Sequence, residues 1–241
     1  MLDRRRLLSF LAALGAGIPA ARAQGHGQLY ALSSDDGGLL PNYRVPPSLD
    51  PATLRGVIEV GAENPDLTIY EFFDYRCPWC RAATAELDTL LAAMPTVRLA
   101  LVNNAILSPD SLAAAKVQQS VLKWHGDAAA YALHRALFAS RAPADEAMAL
   151  EAAGGLGFDV EQLRAEVREP KVGDVVARQM RLAADLGLTA TPSFVIDGTA
   201  VLGWPGPASL RKMVESVGAC DKLSCAAVST PPHPSTTRKK S

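Results

Sequence analysis

The chain has 241 residues, 49% apolar and 20% charged, with 24 basic against 25 acidic side chains and a formal charge of −1. This is the composition of one or two globular domains, not of a disordered chain or a coiled coil. The charge balance offers no basic face for nucleic acid, and no apolar run reaches the roughly eighteen residues of a bilayer span.

Residues 1–23 read as an export signal, with Arg4, Arg5 and Arg6, an apolar stretch from Leu7 to Ala20, and Ala21-Arg22-Ala23 as an A-x-A cleavage site. The mature chain is then expected to begin at Gln24 in an oxidising space, where cysteine pairs persist as disulfides. Arg4-Arg5-Arg6-Leu7-Leu8 is also similar to a twin-arginine signal, so Sec and twin-arginine export both remain open. From Gln24 to Gly56 five Gly and four Pro predict a lightly structured arm. At most it holds one short helix, with Asp50 as N-cap and Pro51 in the first turn.

Leu67 to Tyr75 is a continuous β-branched and aromatic run, expected as an interior strand. Cys77 to Met94 carries apolar residues at helical spacing until Pro95, and Val97 to Val102 reads as a second buried strand. A strand, helix, strand unit predicts a parallel pair joined by a right-handed crossover. Ser108 to Leu186 is expected to be helical, from caps at Ser108, Asp127, Asp145 and Asp159 and a stop at Gly187. Ala113, Val117, Val121 and Trp124 form one expected buried stripe, Leu133 and Leu137 another. Ser193–Ile196, the Asp197-Gly198 turn and Thr199–Leu202 predict a hairpin, and Pro207 opens a last helix through Val217. The tail from Ala226 to Ser241, with three Pro and six Ser or Thr, is expected to stay disordered. The fold class is α/β: a small mixed sheet built from 57–107 and 188–217, an all-helical insertion at 108–187, and a cysteine-containing segment from 218.

The chemistry concentrates in Cys77-Pro78-Trp79-Cys80, placed where a buried strand hands over to a helix. At a helix N-terminus unpaired N–H groups and the macrodipole favour negative charge, so Cys77 is expected to be the nucleophilic thiolate. Cys80, one turn on and facing inward, is the resolving thiol that closes on Cys77. A zinc half-site needs a second pair of ligands, and the four His residues are scattered far from the motif, so no metal is expected. A purely structural disulfide would normally join distant segments. Arg76 and Arg81 flank the pair, either supporting the thiolate or simply solvated.

Glu71 through Cys80, the helical insertion, and Ala190-Thr191-Pro192-Ser193-Phe194-Val195-Ile196-Asp197-Gly198 resemble the DsbA-like family of periplasmic thiol-disulfide oxidoreductases, which have a thioredoxin fold interrupted by a helical domain. The resemblance implies a cis Thr191–Pro192 bond against the disulfide, with Pro78, Trp79, Thr191 and Pro192 as the substrate surface. It also makes Glu71 the counterpart of the family's buried acid. Buried among Ile69, Tyr70, Phe72 and Phe73, that carboxyl would have a raised pKa and could relay a proton from Cys80; at a sheet edge it would face water instead. No organic cofactor is implied. The expected partners are cysteine-containing exported proteins and a membrane-bound redox partner; the oligomeric state is open. Cys220 and Cys225 read as a structural disulfide, with a second redox pair as the alternative. The main expectation is a disulfide-forming oxidase. An isomerase or reductase of the same family, and a Cu(I)-handling dithiol, are the competing readings.

Overall fold

The computed structural model describes residues 28–225; the expected export segment and the tail after Cys225 lie outside the described residues. The aromatic run forms strand β3 (Leu67–Phe73), helix α1 (Pro78–Ala93) follows, and β4 (Val97–Asn103) returns parallel to β3. Asp197 and Gly198, both at positive φ, turn β5 (Ser193–Ile196) into β6 (Thr199–Leu202) as an antiparallel hairpin, the backbone that a two-residue loop of this kind requires. β5 also pairs antiparallel with β3, which makes β3 central. Its residues alternate between two cores. Ile69 and Phe73 join Ala83 and Leu87 of α1 and Leu210 and Met213 of α6 (Pro207–Cys220), whereas Phe72 joins Ala183, Leu186 and Val195 on the other face. A period of two therefore puts Glu71 on the α1 side.

Between β4 and β5 run α2 (Pro109–Ala139), α3 (Glu146–Gly155), α4 (Val160–Val167) and α5 (Pro170–Asp185). Ser108, Asp145 and Asp159 cap their helices as the sequence predicts, each side chain accepting a backbone N–H of the first turn. Asp127 begins the second of two helical segments within α2. Gly126, at a non-helical φ of 77°, divides the two segments, and the Asp127 carboxylate accepts the Glu59 N–H at 2.9 Å. The expected stripe is also displaced: Ala114, Val117 and Val121 are buried, but Trp124 is 49% exposed. Its indole N–H donates to Glu166 of α4 at 3.0 Å and the Lys123 ammonium lies 5.1 Å from its ring centre, so the polar end of the side chain holds it at the surface.

The arm departs most from expectation. Asp50 does cap a short 3-10 turn, Pro51–Thr53, but the segment is packed. β1 (Asn42–Arg44) pairs antiparallel with β6, and just past the arm β2 (Ile58–Gly61) pairs antiparallel with β4. The sheet thus runs β1-β6-β5-β3-β4-β2 among the described residues. Tyr30, Leu32 and Leu40 enter the main core. Buried Asn42 closes the segment on itself, donating to the carbonyls of Tyr30 (2.8 Å) and Leu40 (2.9 Å) and accepting the Tyr30 N–H (2.8 Å). Strands of three and four residues are too short to show a period in sequence.

Candidate active site

The turn after β3 is fixed by one carboxylate. Buried Asp74 accepts hydrogen bonds from the Arg76 N–H (2.7 Å), the Ser111 hydroxyl (2.6 Å) and the Leu107 N–H (2.8 Å), while its carbonyl accepts the Cys77 N–H at 3.0 Å. This ties the end of β3 to the start of α2 and sets Cys77 as the N-cap of α1, with Pro78 in the first turn, where its missing N–H costs nothing. The Cys80 N–H points at the Cys77 sulfur at 3.3 Å, and the Thr191 carbonyl oxygen lies 3.0 Å from that sulfur, where it accepts the thiol proton when Cys77 is protonated. The Thr191–Pro192 bond is cis, and Pro192 is buried. The Ser193 hydroxyl braces this loop by donating to Ala190 O at 2.7 Å. Both thiols are free; Cys77 is 4% exposed and Cys80 fully enclosed, while Trp79 stands 61% exposed beside them.

These contacts separate the two thiols chemically. A side-chain hydrogen bond from Cys80 lowers the Cys77 pKa to about 6, aided by Thr191 and the N–H groups of Cys80 and Trp79 and opposed by burial. Burial, the hydrogen bond to Cys77 and the charge of Glu71 push the Cys80 thiol well above its ordinary value. Neutral pH therefore finds Cys77 ionised and Cys80 protonated. Glu71 is fully enclosed, neither carboxyl oxygen has a hydrogen-bond partner, and burial together with the Cys77 charge raises it to about 8. It is thus mainly a neutral acid at pH 7, close enough in affinity to give or take a proton.

Arg76 and Arg81 contribute nothing of this kind: Arg76 pairs with Asp110 at 2.7 Å, and Arg81 donates to the Ser140 carbonyl. His134 is a packing residue, buried edge-on against Phe73 and Phe138, with its pKa lowered to about 3 by burial. Its Nε2 lies 3.3 Å from the Thr84 hydroxyl, which in turn donates to Cys80 O at 3.0 Å. Cys220 and Cys225 form a disulfide at the C-terminal end of α6. Sequence reasoning missed Asp74 and Thr84. The Asp74 carboxylate is recognisable only by the three partners that the fold brings to it. It also missed that the arm reaches the site: Ser34, Asp35 and Asp36 form one wall of a groove of about 500 Å³ whose other walls include Trp79, Thr191 and Trp204.

A family model described as a DSBA-like thioredoxin domain matches residues 68–217. Among solved structures, a thioredoxin-like oxidoreductase from Silicibacter pomeroyi DSS-3 is 34% identical with a TM-score of 0.64, covering 71% of this chain and 95% of that one. The thiol-disulfide exchange protein alpha-DsbA2 from Wolbachia pipientis is 22% identical with a TM-score of 0.62, covering 67% and 87%. The catalytic domain of Proteus mirabilis ScsC, also 22% identical with a TM-score of 0.61, covers 68% and 90%. A curated relative, the Na(+)/H(+) antiporter NhaA of Herminiimonas arsenicoxydans, is 26% identical over 147 residues, and the match spans only 22% of that protein. Among the described residues no helix is long and apolar enough to cross a membrane.

Proposed function

From the chain's membership of the DsbA-like thioredoxin family, whose members are thiol-disulfide oxidoreductases, we propose that it acts as a disulfide-forming oxidase of exported proteins. The observation that carries this reading is the Cys77 sulfur, held at a helix N-terminus with a pKa of about 6. Stabilisation of the thiolate is available only to the reduced form, so it makes the Cys77–Cys80 disulfide easier to reduce and a better oxidant of clients. A value of about 6 lies between the roughly 7 of thioredoxin and the roughly 3.5 of the strongest oxidants of this type.

In the proposed cycle a client thiolate attacks the Cys77 sulfur, a client–Cys77 bond forms and the Cys77–Cys80 bond breaks. Cys80 leaves as a buried thiolate that is strongly disfavoured, and Glu71 supplies its proton. A second client thiolate then attacks the client sulfur of the mixed disulfide and expels Cys77, a good leaving group because its thiolate is stable. The client gains a disulfide and the protein ends as a dithiol. A membrane-bound partner is proposed to reoxidise it, Glu71 then taking back the Cys80 proton. Thr191 and Pro192, with Pro78 and Trp79, supply the surface for an extended client backbone. Export is supported by the sequence of residues 1–23, and an oxidising compartment suits the Cys220–Cys225 disulfide, read as structural.

The test is direct. Oxidised protein mixed with a reduced, unfolded client should lose its disulfide as the client gains one, and Cys80→Ala whose Cys77 has first been oxidised to a mixed disulfide with glutathione should exchange glutathione for a single-cysteine client and accumulate the client–Cys77 bond. If the reduced protein instead opens client disulfides under the same glutathione buffer, the direction is reversed and the oxidase assignment fails.

A further inference from the structure

The groove beside Cys77 is walled on its outer side by Ser34, Asp35 and Asp36, residues that lie outside the 68–217 family match. The wall is firmly built. The Asp35 N–H donates to Pro205 O at 2.9 Å, and the Asp35 carboxylate accepts the N–H groups of Ser209 (2.7 Å) and Ala208 (3.0 Å), capping α6 from a distant segment. Gly206 meets this carboxylate so closely that a Cβ there would lie 2.5 Å from Asp35 Cγ, and its φ of +83° is itself glycine's. The following turn is closed by Ser34 N–H to Gly38 O at 2.8 Å and Gly37 N–H to Ser34 O at 2.9 Å.

The two aspartates differ in what remains of their charge. Asp35 faces the amides of α6 and the Lys212 ammonium. Asp36 is exposed and bonded only within its own turn, to the Ser34 hydroxyl and the Gly38 N–H. Among the described residues no Lys or Arg lines the groove, and the two arginines near Cys77 are engaged elsewhere. The remaining walls include Trp79, Trp204, Ala190, Thr191 and Pro205. An extended chain laid along Thr191 with its cysteine at Cys77 would rest apolar side chains on the tryptophans and bring a nearby residue under a carboxylate.

We propose that this wall makes the groove select client segments that carry a lysine or arginine within a few residues of the reacting cysteine, with Asp36 as the selecting charge. The proposal rests on the oxidoreductase reading and adds a preference to it. A single pair of unit charges about 7 Å apart in water is worth about threefold in a rate or affinity, so exchanging a cation for an anion changes it about tenfold.

The experiment uses oxidised full-length protein and two reduced peptides that differ only in carrying lysine or glutamate two positions either side of one cysteine, with dithiothreitol as an uncharged control. The lysine peptide is expected to react about tenfold faster at low ionic strength, the ratio collapsing at 0.5 M salt. Asp36→Asn, which keeps an acceptor for the Ser34 and Gly38 bonds, should bring the ratio close to one, and Asp36→Lys should invert it to about one tenth. Equal rates in the wild type, or a ratio indifferent to both substitutions, overturn the proposal while leaving exchange chemistry intact. Failure of dithiothreitol itself to reduce the pair removes the enzymatic reading and this one with it. If the lysine preference emerges only when Arg238, Lys239 and Lys240 are replaced by Gln, the groove's occupant is the chain's own C-terminal segment and the client assignment is wrong.

Discussion

Replacing Glu71 with Gln tests the electrostatics of the site through stability. The Glu71 carboxyl is raised from 4.5 to about 8 in the folded protein, so the native state keeps its proton where the unfolded chain has released it. Stability is therefore intact below pH 4.5 and falls as pH rises towards 8, by about 1.4 kcal/mol per unit. The penalty is about 3 kcal/mol at pH 7 and grows by about 4 kcal/mol between pH 4 and pH 8. Glutamine resembles the protonated acid in shape and polarity but has nothing to ionise. Urea unfolding of the two reduced proteins across this range should show the Glu71→Gln variant gaining on the wild type by that amount, whatever constant offset separates them at pH 4. The same variant should resolve and reform the Cys77–Cys80 bond about a hundredfold more slowly. A stability difference that is flat from pH 4 to pH 8 would refute both the burial argument and the proton relay built on it.

Three other outcomes are expected. Thiolate absorbance of the reduced protein should rise with a midpoint near pH 6 and disappear in Cys77→Ser, with Cys80 silent until well above pH 9; a midpoint near 8.5 would remove the basis for an oxidant. Asp74→Ala removes the acceptor of one buried hydroxyl and two part-buried N–H groups and should cost about 2 kcal/mol by chemical denaturation, with slower exchange. Asp35→Ala removes the acceptor at the start of α6, should cost about 1 kcal/mol, and should open the arm near Ser34 to limited proteolysis, which an unchanged digestion pattern would contradict.

The catalytic half of the fold is readable in sequence because its signals are dense and local. A continuous apolar strand meets Cys77 and Pro78 at a helix start, and Asp197-Gly198 marks a hairpin that no other backbone suits. The arm is unreadable for the opposite reason. β1 borrows its hydrogen-bond partners from β6, far along the chain, so Gly and Pro density was the strongest local feature and pointed to a loose segment. Trp124 misled because helical spacing says which side chains share a stripe, not where the packed surface ends. For Glu71, the flanking Ile69 and Phe72 suggest burial, but only the central position of β3 decides it.

The two sulfur pairs sit at opposite poles of their helices. Cys77 begins α1 among amide hydrogens, whereas Cys220 ends α6, its sulfur 3.2 Å from the carbonyl oxygen of Ser216. A thiolate welcomed at one pole is repelled at the other. Limiting reductant should therefore empty the first pair and spare the second, and on the proposed cycle one molecule would carry both an expendable bond, spent and renewed with every turnover, and a permanent one that outlasts them all.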